Sequence, residues 1–291
     1  MKARNEAGHG TFGAIRLIWN EETLKEETMF SRLRAAARSL AMAAGLIGYA
    51  TVAAASQMVP PTRGASPSAA VPIRAVLELF TSQGCSSCPP ADALLREFAE
   101  DPTILTLSLP VDYWDYLGWK DTFASPRNTE RQRAYAKARG DGAIYTPQVV
   151  VNGTLHVNGA QKAEIKNAID LTSNNVATPR VPIHFWQENN TLNIVIDGAE
   201  PGRMATEATV WFGLVQPEGK VAIEKGENSG NTLTYTNIVR ELTPIGLWKG
   251  QSLLIQIPRA AVIQASTQRS VVLIQEGKAG PIIGAAWANL W

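Results

Sequence analysis

The stretch Ala75-Val-Leu-Glu-Leu-Phe-Thr-Ser-Gln-Gly-Cys-Ser-Ser-Cys88 places the two cysteines of this 291-residue chain directly after a strand-like apolar run. A Cys-x-x-Cys pair at a strand-to-helix junction has the geometry of thiol–disulfide exchange, because the first sulfur lies near a helix N-terminus and the second lies one turn further on. Since the sequence contains no other cysteine, the pair is either the site of the chemistry or a local structural bridge.

The short spacer between Cys85 and Cys88 weighs against a purely structural bridge, because so small a loop stabilises little through chain entropy. Metal binding is disfavoured because two thiolates leave a site short of ligands, and His156 is the one further candidate ligand within residues 73–175. We therefore predict a thiol–disulfide oxidoreductase in which Cys85 attacks and Cys88 resolves, with no metal and no bound organic cofactor. A non-enzymatic binding module with an inert or structural disulfide is the alternative.

Two prolines, Pro89 and Pro90, follow the second cysteine directly. Proline is favoured at the first helical position, so we expect the helix to start near Cys88 and Cys85 to feel less of the helix dipole. The hydroxyl groups of Ser86 and Ser87 can donate hydrogen bonds to a Cys85 thiolate, although neither carries a charge.

Strand and helix patterns alternate over residues 73–175. The predicted elements are strands over 73–81 and 104–109 around a helix over 91–100, a basic helix over 128–139, a hairpin of strands 148–151 and 154–157, and a closing helix over 160–171. The dipeptide Asn152-Gly153 is a strong signal for a type I′ turn. The basic side chains of residues 127–139 are expected to form a solvated face.

This order of elements, with Cys-x-x-Cys after the first strand, resembles the thioredoxin fold. Tyr145-Thr146-Pro147 stands immediately before a strand, where thioredoxin-like proteins carry a cis-proline that packs beside the cysteine pair. The resemblance implies that the Thr146–Pro147 bond is cis and that the backbone of Thr146 offers strand-like hydrogen bonds to a substrate. Gly84 stands where thioredoxin has a tryptophan.

Longer stretches of the chain resemble a bacterial family of secreted proteins, domain of unknown function 1223, which is described as thioredoxin-like. The resemblance is carried by four segments, 78–92, 111–121, 131–135 and 223–230, and covers essentially all of residues 73–291. Because the biochemical role of this family is not established, the resemblance implies fold and export rather than a substrate.

An insert between the second and third strands carries four aromatic residues and three carboxylates within residues 112–121. Its aromatic side chains, Trp114 among them, either line a substrate groove beside the disulfide or seal the insert onto the core. Asp112 or Asp115, placed near Cys88, is a candidate proton acceptor for the resolving thiol.

From residue 181 onward the sequence changes to short strand-like runs separated by turn residues such as Pro217-Glu-Gly219. Such spacing is typical of a sandwich or a partly open barrel. We therefore predict an α/β thioredoxin-like domain over residues 73–175, followed by an all-β sandwich-like domain over residues 181–291.

The N-terminal region has the pattern of a secretory signal peptide. Three arginines precede an apolar run over 40–52, and an Ala-x-Ala site ends at Ala55. Since signal peptides begin close to the initiator, we expect translation to start at Met29, with residues 1–55 forming an N-terminal extension and signal peptide and residues 56–72 a linker. An uncleaved membrane anchor is the alternative, although the run is short for a transmembrane helix.

Export predicts a periplasmic or secreted location, where a cysteine pair can be oxidised. The expected partners are protein thiols or disulfides, with a membrane redox protein as a further candidate. Contact with a membrane is expected only through an uncleaved signal segment. The formal net charge is +1, from 27 basic and 26 acidic residues, and without a basic stripe this balance argues against nucleic acid.

Overall fold

The computed structural model describes residues 72–173, 181–199, 207–262 and 269–288. The predicted signal peptide, the start at Met29 and nearly all of the linker lie outside these residues. None of the helices in the described ranges is both long enough and apolar enough to cross a membrane.

The described residues form four α-helices and eleven strands. The helices are α1 (Pro89–Phe98), α2 (Pro126–Arg139), α3 (Lys162–Ser173) and α4 (Arg259–Val262). The strands are β1 (Ala75–Thr81), β2 (Ile104–Pro110), β3 (Gln148–Val151), β4 (Leu155–Asn158), β5 (Ile183–Glu188), β6 (Thr191–Ile196), β7 (Ala208–Ala222), β8 (Thr232–Trp248), β9 (Leu253–Pro258), β10 (Arg269–Glu276) and β11 (Ile282–Ala288).

The strands form two sheets. The larger has eight strands in the order β11-β10-β7-β8-β2-β1-β3-β4, and the smaller has the order β5-β6-β9. Strand β1 runs parallel to β2 and antiparallel to β3. Strands β2 and β8 meet in parallel at Ser108 and Ile238. The larger sheet therefore contains strands from both predicted domains, whose boundary falls on residues 174–180, outside the described ranges.

Strand β1 is buried along its whole length because both faces of the sheet are covered there. Successive side chains of a strand point to opposite faces, so Leu77 and Leu79 pack with α1 and α3. On the other face, Val76 and Phe80 share a core with Tyr135 of α2 and with side chains of β7, β8, β10 and β11. A third core lies between the smaller sheet and the larger one.

Strand β7 differs from the prediction at its centre. Pro217-Glu-Gly219, predicted as a turn, lies inside β7, and Glu218 pairs with Thr236 of β8. Register shifts after Val210 and after Leu214 bend the strand, and Asn237 of β8 has a positive φ of 51°. The prediction of a turn was wrong, because these irregularities accommodate Pro217 within a long hairpin. The strand-like runs on either side of Pro217 are therefore one strand, β7.

Helix α2 also departs from its predicted surface role at one position. Arg131, expected on a solvated basic face, is buried and pairs with Glu78 of β1. A partner on the neighbouring strand lets this charge leave water. In contrast, the predicted hairpin turn is confirmed, because Asn152 and Gly153 both have positive φ.

Candidate functional site

Cys85 and Cys88 form a disulfide with Cα atoms 5.4 Å apart. Helix α1 begins at Pro89 with Cys88 at its N-cap, which confirms the helix start predicted from the two prolines. Cys85 lies before the helix, in a turn where its N–H donates to Ser82 and its carbonyl oxygen accepts from the Cys88 N–H, each at 3.2 Å. Residues 82–88 are called the cysteine turn below.

The sulfur of Cys85 has one polar side chain beside it. The Ser87 hydroxyl lies 3.4 Å from Sγ, so it can donate to a thiolate once the disulfide is reduced. The backbone N–H of Ser86 donates to the Glu227 carboxylate at 3.2 Å and is thus already engaged. Cys85 and Cys88 are only 1% and 0% exposed, so neither sulfur is open to an incoming thiol in this conformation.

Gln83 links the cysteine turn to the insert. Its backbone N–H donates to Asp121 at 2.8 Å, and its side-chain oxygen accepts from the Trp119 indole N–H at 2.8 Å. Its amide nitrogen donates to the Thr122 hydroxyl at 3.1 Å. These contacts fix the backbone immediately before Cys85. Gln83 was not predicted from the sequence, because nothing in a local pattern marks a polar residue that is bonded 38 residues away.

The loop of residues 223–231, which joins β7 to β8 and is called the β7–β8 loop below, hydrogen-bonds to the cysteine turn. The Asn228 amide donates to the carbonyl oxygens of Gln83 and Cys85 at 2.9 and 3.0 Å. A Cβ added to Gly226 would lie 3.5 Å from Cβ of Trp119, so the loop also meets the insert. The loop contains segment 223–230, one of those that carry the family resemblance, but its contact with the cysteine turn was not predicted.

The Thr146–Pro147 bond is cis, as predicted. Pro147 and Ala91 of α1 both border Gly159, because a Cβ added to this glycine would come within 3.2 Å of Pro147 and 3.0 Å of Ala91. The Thr146 hydroxyl accepts from the Trp114 indole N–H at 2.8 Å. The insert therefore holds the residue that precedes the proline.

Trp114 also explains the glycine before Cys85. A Cβ on Gly84 would lie 3.1 Å from Cβ of Trp114, closer than most real contacts. A larger residue at position 84 would have to displace Trp114. Trp114 and Tyr113 pack against the core beneath, whereas Tyr116 is 77% exposed. The insert thus seals itself with some aromatic residues and presents one to solvent.

The carboxylates predicted to lie near Cys88 bond elsewhere. Asp112 accepts from the Thr129 hydroxyl at 2.5 Å, and Asp115 accepts from the Asp121 backbone N–H at 3.1 Å. Asp92 lies one helical turn after Cys88, and its N–H donates to the Cys88 carbonyl at 3.1 Å. Asp92 is buried, and its Oδ1 makes no hydrogen bond within the described residues.

Burial raises the pKa of Asp92 well above its ordinary value, and the nearby Asp121 carboxylate raises it further, while a hydrogen bond from Thr81 opposes the shift. Burial likewise raises the pKa of Asp121. The pKa of Tyr235 on β8 is raised by burial and by both carboxylates. These three groups form a buried acidic cluster around Asp92, in the first turn of α1. Its sequence signal was available, since Asp92 stands on the apolar face of α1 with Ala91, Leu95 and Phe98.

His156, the candidate metal ligand, lies in a separate cluster. Its Nδ1 lies 2.9 Å from the Tyr145 hydroxyl and its Nε2 3.2 Å from the Asp141 carboxylate. Burial lowers the pKa of His156, and Arg139 adds to this effect. Within the described ranges, no group of three or more His, Cys, Asp or Glu side chains is arranged to hold a metal ion.

Residues 76–275 match the family described as "Protein of unknown function (DUF1223)". The chain belongs to this family. The match runs from Val76 in β1 to Gln275 in β10, so the DUF1223 segment contains the cysteine turn, the insert, the cis-proline and the β7–β8 loop. Every contact that builds the candidate site thus lies within the family's own sequence.

Two solved structures are similar to this DUF1223 protein. Protein AGR_C_4864 from Agrobacterium tumefaciens is 32% identical with a TM-score of 0.66, and the match covers 75% of this chain and 94% of that chain. HBP35 of Porphyromonas gingivalis is 12% identical with a TM-score of 0.50, and the match covers 74% of each chain. The second likeness concerns the fold alone. No curated protein matches the chain.

Proposed function

We propose that this DUF1223 protein is an exported thiol–disulfide oxidoreductase that acts on protein thiols or disulfides through Cys85 and Cys88. The observation that carries the proposal is the Cys85–Cys88 disulfide in the turn before α1, in a chain whose Thr146–Pro147 bond is cis. A bond between neighbouring residues of a turn adds little stability, so its placement there favours chemistry.

The proposal includes a thioredoxin-like fold for the cysteine-containing half. It is supported by the strand order β2-β1-β3-β4, with β1 parallel to β2 and antiparallel to β3. Helices α1 and α3 pack on one face of these strands and α2 on the other. The shared core between the smaller sheet and the C-terminal strands supports a sandwich-like arrangement in the other half.

The exchange is a two-electron transfer between sulfur atoms. In the reduced protein, the Cys85 thiolate attacks a substrate disulfide, forms a mixed disulfide with one substrate sulfur and releases the other as a thiolate. The Cys88 thiol loses its proton and attacks Sγ of Cys85, which closes the protein disulfide and releases the second substrate thiolate. Run in reverse, the same steps oxidise a substrate dithiol.

We propose Asp92 for the proton-transfer role that the sequence assigned to Asp112 or Asp115. Cys88 is fully buried, so its thiol needs an acceptor inside the protein. Burial keeps the pKa of Asp92 high, which makes its carboxylate a better base than an exposed one. Asp92 follows Cys88 by one helical turn, and side chains at this spacing share a helix face.

Substrate contact is assigned to the backbone of Thr146 and to the exposed ring of Tyr116. The indole N–H of Trp114 donates to the Thr146 hydroxyl, so Trp114 positions Thr146 for the substrate. Exposed tyrosine is enriched at protein interfaces, and Tyr116 lies on the insert that contacts the cysteine turn through Trp119. Expected partners are unfolded or extended protein segments, with a membrane redox protein as a source or acceptor of electrons.

A trapping experiment tests the proposed function. Reduced full-length Cys88→Ser protein is incubated with insulin, whose disulfides serve as the probe, and the products are separated on non-reducing gels. An exchanger accumulates a mixed disulfide through Cys85, because the hydroxyl that replaces the resolving thiol cannot release it. The Cys85→Ser variant is the matched control and should accumulate far less. Equal, negligible trapping in both variants would support the inert disulfide of a binding module instead.

A further inference from the structure

We propose that the β7–β8 loop is a gate over the disulfide, held closed by Asn228 and Glu227, and that Cys85 reacts only after Asn228 has left the cysteine turn. The gate rests on the proposed function, because its purpose is to control when Cys85 reacts. Its test needs no protein substrate and so does not depend on that function.

The burial of both cysteines requires some opening. A thiolate must approach a disulfide sulfur directly, and the rate of exchange depends on this access. Cys85 is 1% exposed and Cys88 0%, although neighbouring Ser86 and Ser87 are exposed. The closed conformation therefore protects the pair, and a reactive conformation must differ from it near Cys85.

The β7–β8 loop reaches the cysteine turn through a small number of polar contacts. Asn228 donates to the Gln83 and Cys85 carbonyls, and Glu227 accepts from the Ser86 N–H. Single hydrogen bonds of this kind shift an equilibrium by about two- to tenfold. A few such bonds close the site firmly and still allow frequent opening.

The loop is built to move as a unit. Ile223 donates to Asn231 and accepts from Gly230, and the Ser229 hydroxyl donates to the Glu224 carbonyl at 2.9 Å. These bonds lie inside the loop and survive when it leaves the cysteine turn. Asn228 is the one polar side chain of the loop that is buried, and it is buried against the cysteine turn.

The gate is tested by the rate at which dithiothreitol reduces the disulfide in the full-length protein. Released thiols are alkylated at timed intervals and counted by mass spectrometry. Asn228→Ala and Asn228→Asp each remove both donated hydrogen bonds, and Asp keeps the size of Asn. Both variants should be reduced about tenfold faster than the parent. Lys225→Ala, which changes an exposed side chain of the same loop, should stay within about twofold.

Hydrogen exchange gives a second measurement that does not involve sulfur chemistry. The Ser86 amide, bonded to Glu227 in the closed loop, should exchange faster in both Asn228 variants and at the parent's rate in Lys225→Ala. Unaltered reduction rates together with unaltered exchange in folded Asn228 variants would overturn the gate.

The outcomes separate the gate from the proposed function. Faster reduction of Asn228→Ala without trapping by Cys88→Ser would place the gate over an inert disulfide. Trapping by Cys88→Ser together with unchanged reduction rates in the Asn228 variants would support the oxidoreductase and overturn the gate.

Discussion

The guanidinium of Arg131 lies 2.6 Å from the carboxylate of Glu78, across the buried boundary between α2 and β1. Their side chains are 7% and 0% exposed. The Tyr135 hydroxyl donates to Glu78 and accepts from the Gln275 amide of β10. The pKa of Arg131 is raised by the Glu78 carboxylate, which outweighs the opposing effect of burial. This network ties β1, the strand that precedes the cysteine turn, to β10 near the C-terminus.

Removing one member of this pair should destabilise the protein strongly. Arg131→Met leaves the Glu78 carboxylate buried without its cation, and we expect the free energy of unfolding in urea to fall by about 3–5 kcal/mol. The double variant Glu78→Gln with Arg131→Met should regain much of this loss, because no unpaired charge remains. Arg133→Met, an exposed arginine of the same helix, is the control. If Arg131→Met loses no more unfolding free energy than Arg133→Met, the Glu78–Arg131 pair does not contribute to stability.

The second prediction concerns the resolving step. Asp92→Asn removes the proposed acceptor for the Cys88 proton, so closure of the disulfide from the mixed state should slow by about 10²-fold at neutral pH. The rate should also lose the part of its pH dependence that follows ionisation of the carboxylate. Stopped-flow resolution of a glutathione mixed disulfide on Cys85 measures both. Asp170→Asn, exposed on α3, should behave like the parent. If Asp92→Asn keeps the rate and the pH profile of the parent, Asp92 is not the proton acceptor for Cys88.

The third prediction is a pH dependence of stability. Burial raises the pKa of Asp92 above its ordinary 3.8, so the folded protein holds this proton more tightly than the unfolded chain. Stability from this group is therefore fully present below pH 3.8 and is lost as the pH rises through the folded pKa. An asparagine at position 92 does not ionise, so it causes no loss of stability as the pH rises. Asp92→Asn should thus gain in unfolding free energy, relative to the parent, between about pH 4 and pH 7.

Urea titrations across that range measure the difference between the two proteins. The difference should be smallest in acid and largest at neutral pH. A constant difference would mean that Asp92 ionises equally easily in the folded and unfolded states, contrary to its buried position. Asp170→Asn serves again as the exposed control.

Much of the cysteine-containing half could be predicted because its signals are local. Pro89 sets the start of α1, and Asn152-Gly153 sets a hairpin turn. Each of these depends on the conformational limits of one or two residues. The apolar run of β1 similarly predicts a strand buried on both faces.

The contacts that complete the site could not be predicted in the same way. Asn228 and Gln83 meet only because the long hairpin of β7 and β8 brings residues 145 positions apart together. Local propensity carries no information about such a pairing. The bend in the hairpin depends on register shifts in β7 and on the positive φ of Asn237. The local sequence around Pro217 instead favours a turn, so it predicts the wrong structure there. Burial of Arg131 likewise depends on a partner 53 positions away.

The separation of 143 residues between Cys85 and Asn228 also has a consequence for biosynthesis. A chain that grows at about 5–20 residues per second exposes the cysteines for roughly 7 to 30 seconds before Asn228 has been made. During that interval the pair meets whatever oxidant or reductant surrounds the nascent chain. The cysteine pair can therefore exchange with its surroundings before the loop that later contacts it has been synthesised.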